Sequence, residues 1–159
     1  MNTGVNSEEK ISGITLDPQL FTDGQSLDDL VEGFALFDDW EDRYRYLIDM
    51  GRKLPVMDDA LKTENTIVHG CTSKVWLYQQ VQKNAAGDDI VVFIADSDAQ
   101  IVRGLIYVLM VSYFGQKLSV VPTIDIENIF DRMGLNEHLS PNRRNGFFSM
   151  VATIRSFTL

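Results

Sequence analysis

The stretch Gln-Ile-Val-Arg-Gly-Leu-Ile-Tyr-Val-Leu-Met-Val-Ser-Tyr-Phe, residues 100–114, constrains this chain more than any other. Residues 104–114 form the longest apolar run, well short of the ~20 residues that a membrane-spanning helix needs. From Leu105 to Val111 the run is apolar nearly all round. A helix of that kind must be buried on every side. It is therefore expected to be a central core helix, capped by Asp96-Ser97-Asp98 and terminated at Gly115. A chain of 159 residues suits one domain, and a domain of that size buries roughly 68–70% of its unfolded surface around a single core.

The flanking segments supply the layers around that helix. Ser26 followed by Leu27, Leu30, Val31 and Phe34 has the spacing of an amphipathic helix, with Asp29 in the capping-box position. A second helix is expected from Asp39 to Gly51, burying Trp40, Tyr44, Leu47 and Ile48. Residues 65–69, 73–82 and 90–95 read as three antiparallel strands, the last two joined by the turn Asn84-Ala85-Ala86-Gly87-Asp88. Ile126, Ile129, Phe130 and Met133 mark a shorter helix closed by Gly134. Ser140-Pro141 then opens a final helix with the stripe Phe147, Met150, Val151 and Ile154. The expected class is α+β: a small antiparallel sheet of about three strands with helices packed mainly on one face. Residues 1–25 lack periodicity and are expected as a mobile N-terminal extension, leaving residues 26–159 as the domain.

Charge narrows the choice of partners. The formal net charge is −9, and residues 1–60 carry all of it, with 14 acidic and 5 basic side chains. This is either an acidic face that steers toward a basic partner or the solvated outer face of two helices. Nucleic acid is not expected, because phosphate backbones call for clustered Lys and Arg and no cluster here exceeds Arg143-Arg144. No membrane span and no secretory or organellar leader is expected. The single cysteine excludes an internal disulfide and a Cys-x-x-Cys pair, which points to a reducing cytoplasm.

That cysteine, Cys71, lies in Val68-His69-Gly70-Cys71-Thr72-Ser73-Lys74, at the expected tip between two strands. Gly70 allows a positive φ and removes bulk beside the sulfur. At an ordinary pKa of ~8.5 only about 3% of a thiol is ionised at pH 7, so a reactive site would need donors from Lys74, His69 or the turn's backbone. Cys71 can equally be an inert small hydrophobe. His69, Cys71 and His138 are the only soft metal ligands, too few for a zinc site in this pattern, and no metal or other cofactor is expected. A cysteine hydrolase would require a base such as His69 or His138. Asp96 and Asp98 read either as paired carboxylates or as helix-capping groups. Arg103 is expected to pair with an acid. Arg143 sits near a helix N-terminus that favours anions.

Three segments together resemble the SufE-type sulfur-acceptor proteins. Gly70-Cys71-Thr72-Ser73-Lys74-Val75-Trp76 resembles the loop bearing that family's acceptor cysteine. Asp96-Ser97-Asp98-Ala99 with Ile101-Val102-Arg103-Gly104-Leu105 resembles its central helix, and His138-Leu139-Ser140-Pro141 with Arg143, Asn145 and Gly146 its C-terminal signature. Trp40-Glu41-Asp42-Arg43-Tyr44 and Gly51-Arg52 match its early helix, and the likeness runs from about Phe34 to Phe157. The resemblance implies a carrier whose Cys71 takes sulfane sulfur from a partner cysteine desulfurase, stimulates that enzyme and passes the sulfur to a scaffold assembling iron–sulfur clusters. Pyridoxal phosphate then belongs to the partner, where the carbon–sulfur bond is broken, and no independent active site is expected. Gly70, Thr72 and Ser73 would shape the loop. Lys74, His69, Arg143 or His138 would contact the thiolate or the partner. The resemblance also implies a homodimer. An alternative of a different class is a single-cysteine redox sensor, whose sulfenic acid would lack a resolving thiol in the chain. A third is a binding adaptor in which Cys71 merely packs.

Overall fold

A computed structural model describes residues 14–22, 26–70 and 73–156. Its elements run α1 (Leu27–Ala35), α2 (Trp40–Gly51), β1 (Val75–Lys83), β2 (Asp89–Ser97), α3 (Gln100–Tyr113), α4 (Ile126–Arg132), α5 (Leu135–His138) and α6 (Pro141–Arg155), with 3-10 turns at Asp59–Leu61 and Val121–Thr123. The α+β class holds. Among the described residues no helix is long and apolar enough to cross a membrane.

The expected core helix is α3. Leu105, Ile106, Tyr107, Val108 and Leu109 are each fully inaccessible to solvent, as a helix without a polar face requires. Helix α2 approaches it most closely through two glycines. A Cβ on Gly104 would lie 2.3 Å from the Leu47 carbonyl oxygen, and one on Gly51 would lie 2.7 Å from the Gly104 nitrogen. Backbone meets backbone at this crossing, so there is no flexible side chain to yield. Leu47, Met50 and Gly51 are the buried residues of α2, whereas Trp40, Tyr44 and Ile48, expected inside, are only half-buried. Helix α1 carries the expected capping box: Ser26 Oγ accepts from the Asp29 amide at 3.1 Å, and the Asp29 carboxylate accepts from the Ser26 amide at 3.4 Å.

β1 and β2 form an antiparallel hairpin registered from Val75↔Ser97 to Lys83↔Asp89. Asn84 builds its turn, its side-chain oxygen accepting from the amides of Ala86 and Asp88, while Gly87 takes φ 87°. Alternation sorts the side chains. Val75, Leu77, Val91, Phe93 and Ala95 join the main core with α3. Tyr78, Ile90, Val92 and Ile94 join a second cluster on the outer face. That outer face is covered by residues 14–20 and 57–61 rather than by an α-helix, so the α-helices do lie mainly on one face. Residues 115–118 run along the far edge of β2, where Val91 donates to Gln116 and accepts from Gly115.

Two expectations are corrected. The third strand, over residues 65–69, is a single bridge, Ile67↔Trp76, flanked by Val68 N–H to Val75 and Leu77 N–H to Thr66. Thr66 Oγ1 donates to the Leu61 carbonyl at 2.6 Å and accepts from the Thr63 amide at 3.0 Å. This local turn takes the chain out of extended geometry before a ladder can grow. Residues 14–22, expected within a mobile extension, are packed: Leu16 is buried, and Phe21 meets Tyr107 and Phe114 edge-on. The rest of that expected extension, residues 1–13 and 23–25, lies outside the described residues.

The glycine crossing gives a direct test. Gly104→Ala forces the two backbones apart and is expected to cost at least about 2 kcal/mol, the range of overpacked cores. For a chain of this size that lowers Tm by about 4 °C or more in a thermal melt. An unchanged Tm would mean that α2 and α3 are not locked at this contact.

Candidate functional site

Cys71 lies between Gly70 and Ser73. Gly70 has φ 91°, and a Cβ there would lie 2.9 Å from Ser149 Oγ on α6. Left-handed geometry and the α6 wall together favour glycine at this position. Cys71 and Thr72 lie outside the described residues. The chain is described again from Ser73, which is half-buried and lines a cavity of about 310 Å³. Ser73, Ser140, Asn142 and Arg143 make the cavity's polar wall, and Val75, Val102 and Phe147 its apolar floor.

The N-terminus of α6 forms one rim of the cavity. Ser140 caps it, its Oγ accepting from the Arg143 amide at 3.3 Å, and Pro141 takes the first helical position, as expected. Arg143 is exposed and, among the described residues, has no carboxylate within ion-pair distance. A guanidinium in that state beside a helix N-terminus makes this rim favourable to an anion.

The other support of the loop is Asp96-Ser97-Asp98. Expected to cap α3, these residues do something else: α3 starts at Gln100 after Ala99, with no side-chain cap. Strand β2 continues through Ser97, which brings Ser97 and Asp98 against Lys74. The Asp98 carboxylate accepts from the Lys74 amide at 3.1 Å, and the Asp98 amide donates to the Lys74 carbonyl at 3.3 Å. Ser97 Oγ donates to that same carbonyl at 2.8 Å and accepts from the Ala99 amide at 3.1 Å. Asp96 holds Lys62 Nζ at 3.0 Å and, as expected for an acid partner, Arg103 Nε at 3.1 Å. Lys62 also lies over the Trp76 ring. Asp98 thus holds the end of the loop while Asp96 ties β2 to Lys62 and Arg103, and the acid–base reading of the pair finds no support in this geometry.

The remaining expected residues separate. Lys74 is bound through its backbone, and its side chain is exposed. His69 is exposed and does not line the cavity. His138 is also outside the lining; its ring stacks on Trp40 at 3.7 Å and 18°, and its carbonyl accepts from the Tyr44 hydroxyl. Asn142, Val102 and Ser149 are site residues that the sequence reading missed. Gly146 carried the available signal, a glycine inside an amphipathic helix marking a close approach; it is buried and lines the cavity.

The family model described as "SufE: Fe-S metabolism associated domain" matches residues 28–158. The chain belongs to the SufE family. Membership associates it with Fe–S metabolism. An uncharacterized SufE-like protein of Rhizobium meliloti (strain 1021) is 43% identical over 131 residues, 82% of this chain and 93% of that protein. Another, of Rhizobium etli, is 42% identical over 130 residues, 82% of this chain and 87% of its own length. A hypothetical protein from Thermus thermophilus, solved in solution, shares the fold at a TM-score of 0.65, covering 83% of this chain and 92% of its own at 19% identity. The SufE match contains the whole cavity wall and both supports of the Cys71 segment.

The Lys62–Asp96 ion pair is testable through pH. The Asp96 carboxylate, accepting from the ammonium, holds the Lys62 pKa above its ordinary 10.5, against the opposing pull of burial. A cation with a raised folded pKa contributes stability that is complete below the unfolded value and is lost as pH rises through the folded one. The stability gap between wild type and Lys62→Met, from urea midpoints, is therefore expected to stay level to about pH 10 and to narrow above it. Burial also pushes up the Tyr113 phenol, equally in both proteins, so that contribution cancels. A gap that stays constant into the alkaline range would mean that the Lys62–Asp96 pair does not contribute to the fold's stability.

Proposed function

We propose that this SufE-family protein is a sulfur acceptor: Cys71 takes sulfane sulfur from a partner cysteine desulfurase, stimulates that enzyme and passes the sulfur to an iron–sulfur assembly scaffold in the cytoplasm. The observation that carries this reading is the chain's sole cysteine on a segment whose next described residue, Ser73, lines a cavity bearing the exposed Arg143. The Cys71 thiolate attacks the outer sulfur of the donor's cysteine persulfide. A sulfur–sulfur bond forms at Cys71 as the donor's sulfur–sulfur bond breaks, and the donor cysteine leaves as thiolate. The transfer is electron-neutral between the two proteins and requires no oxidant. Pyridoxal phosphate serves carbon–sulfur cleavage in the partner and is not held by this chain.

In this reading Arg143 and the α6 N-terminus favour the charged sulfur, whose ionised form is a minor species for an ordinary thiol at neutral pH. The apolar floor of Val75, Val102 and Phe147 shelters the guest sulfur from solvent reductants. Relieving the donor of its persulfide frees it for another turnover, which accounts for stimulation. A lone thiol also protects its cargo, because no second cysteine in the chain can displace the sulfur into an internal disulfide.

Incubation with a cysteine desulfurase, pyridoxal phosphate and L-cysteine is expected to add the mass of one sulfur to the intact protein. Dithiothreitol should remove it, and Cys71→Ser should never acquire it. Equal stimulation of alanine production by wild type and Cys71→Ser would end the acceptor reading. Peroxide labelling that outpaces the desulfurase reaction would favour the redox sensor instead. Arg143→Ala removes a charge-assisted contact and is expected to slow sulfur uptake by about tenfold while leaving the thermal melt unchanged. Uptake at the wild-type rate would take Arg143 out of the mechanism.

A further inference from the structure

The outer face of the hairpin carries an arrangement that the sulfur chemistry does not use. Tyr78, Gln80 and Gln82 occupy alternate positions of β1, on the face opposite the one that Val75 turns to the cavity. Their side chains bond in series: Gln82 Nε2 donates to Gln80 Oε1 at 3.1 Å, and Gln80 Nε2 donates to the Tyr78 hydroxyl at 2.9 Å. This ladder is aimed at the backbone of residues 14 and 16. The Leu16 amide donates to Gln80 Oε1 at 2.8 Å, and Gln82 Nε2 donates to the Leu16 carbonyl at 2.7 Å. The Ile14 carbonyl accepts from Gln80 Nε2 at 2.6 Å and from the Tyr78 hydroxyl at 2.8 Å.

These four bonds from the ladder to the segment all go to main chain, so the ladder reads an extended backbone rather than particular side chains. The side chains supply the second half of the recognition. Leu16 is buried in the outer cluster with Ile14 packed beside it, while Thr15 between them is exposed, the alternation of a strand lying on a surface. The chain then turns at Asp17-Pro18-Gln19-Leu20, with proline at the favoured second position of the turn and the Leu20 amide donating to the Asp17 carbonyl. Phe21 crosses to α3. The family match begins at residue 28, so this segment lies outside what the family shares.

We infer that the outer face of the β-hairpin is a peptide-binding site for an extended segment with aliphatic residues two apart, and that residues 14–16 of this chain are its resident, exchangeable ligand. Main-chain recognition by a strand face with pockets for alternate side chains is the logic of strand addition, carried here by amide side chains instead of a sheet edge. Tethering explains why the resident occupies it: a short linker supplies an effective concentration in the millimolar range. A free peptide of the same sequence must compete against that.

The test uses the full chain and a fluorescent peptide of residues 14–22, read by anisotropy. Leu16→Asp places a charge that cannot enter the cluster beside Val92 and Ile94, and so empties the site. This variant is expected to bind the peptide at least about tenfold more tightly than wild type. Adding Gln80→Ala and Gln82→Ala is expected to abolish the gain. Binding to Leu16→Asp no tighter than to wild type would overturn the inference, and so would binding that survives loss of both glutamines. Hydrogen exchange provides a readout independent of Leu16→Asp folding: the Leu16 amide should exchange at least about tenfold faster in Gln80→Ala than in wild type, since its acceptor is gone. An unchanged rate would also overturn it.

Discussion

Burial of α3 on all sides is the constraint from which the rest of the architecture follows. A helix whose surface is apolar nearly all round gains roughly 1.5–3 kcal/mol for each large side chain fully removed from water, but only if every side finds a partner. Helix α2 covers one side at the glycine crossing of Gly51 and Gly104. The inner face of the hairpin covers another through Val91, Phe93 and Ala95, and α6 closes a third through Phe147, Met150 and Ile154. Where the covering layers meet, they leave a gap between Val75, Val102 and Phe147, and this gap is the floor of the cavity. The site is thus a seam between layers that had to be there for the core helix to be dry.

The supports of the Cys71 segment belong to those same layers. Gly70 rests against Ser149 of α6, and Lys74 is tied on both backbone groups to Asp98 at the end of β2. Asp96 then anchors Lys62 and Arg103, linking the 3-10 turn region and α3 to the same strand end. Such half-buried pairs are costly to break by removing one partner, because the other charge is then left uncompensated. Here they fix the position of the β2 end, from which Ser97 and Asp98 hold Lys74 beside the cavity that Arg143 lines.

What the sequence disclosed was local. The capping box of Ser26 and Asp29, the N-cap Ser140 with Pro141, and the stripes of α1 and α6 follow from spacing over a few residues, and each appears as read. Gly70 was legible as a positive-φ position for the same reason. Errors arose where two local rules competed. Asp96-Ser97-Asp98 has the composition of a helix cap, but β2 runs on through Ser97 and turns the carboxylates to other partners. Thr66, Ile67 and Val68 are β-branched, yet Thr66 bonds back to Leu61 and the pairing ends after one bridge. The cavity drew Val102 from α3 and Asn142 from α6, positions linked only through the tertiary fold, and no short-range pattern joins them. His138 illustrates the reverse: its place beside Ser140 drew it toward the site, whereas its ring belongs to Trp40.

Strand β2 holds the run Ile90-Val91-Val92-Phe93-Ile94-Ala95, six uncharged residues rich in β-branched side chains and free of proline. Such a run matches the composition of steric-zipper segments in amyloid. Residues 115–118, bonded to Asp89 and Val91 on its far edge, cover the start of what would otherwise be a template for another chain. Asp88 and Asp89 precede the run and Asp96 and Asp98 follow it, acting as gatekeepers whose like charges repel in-register stacking. The turn that follows α3 and the flanking aspartates, among them the Asp98 that holds Lys74, thus oppose edge-to-edge association of this strand.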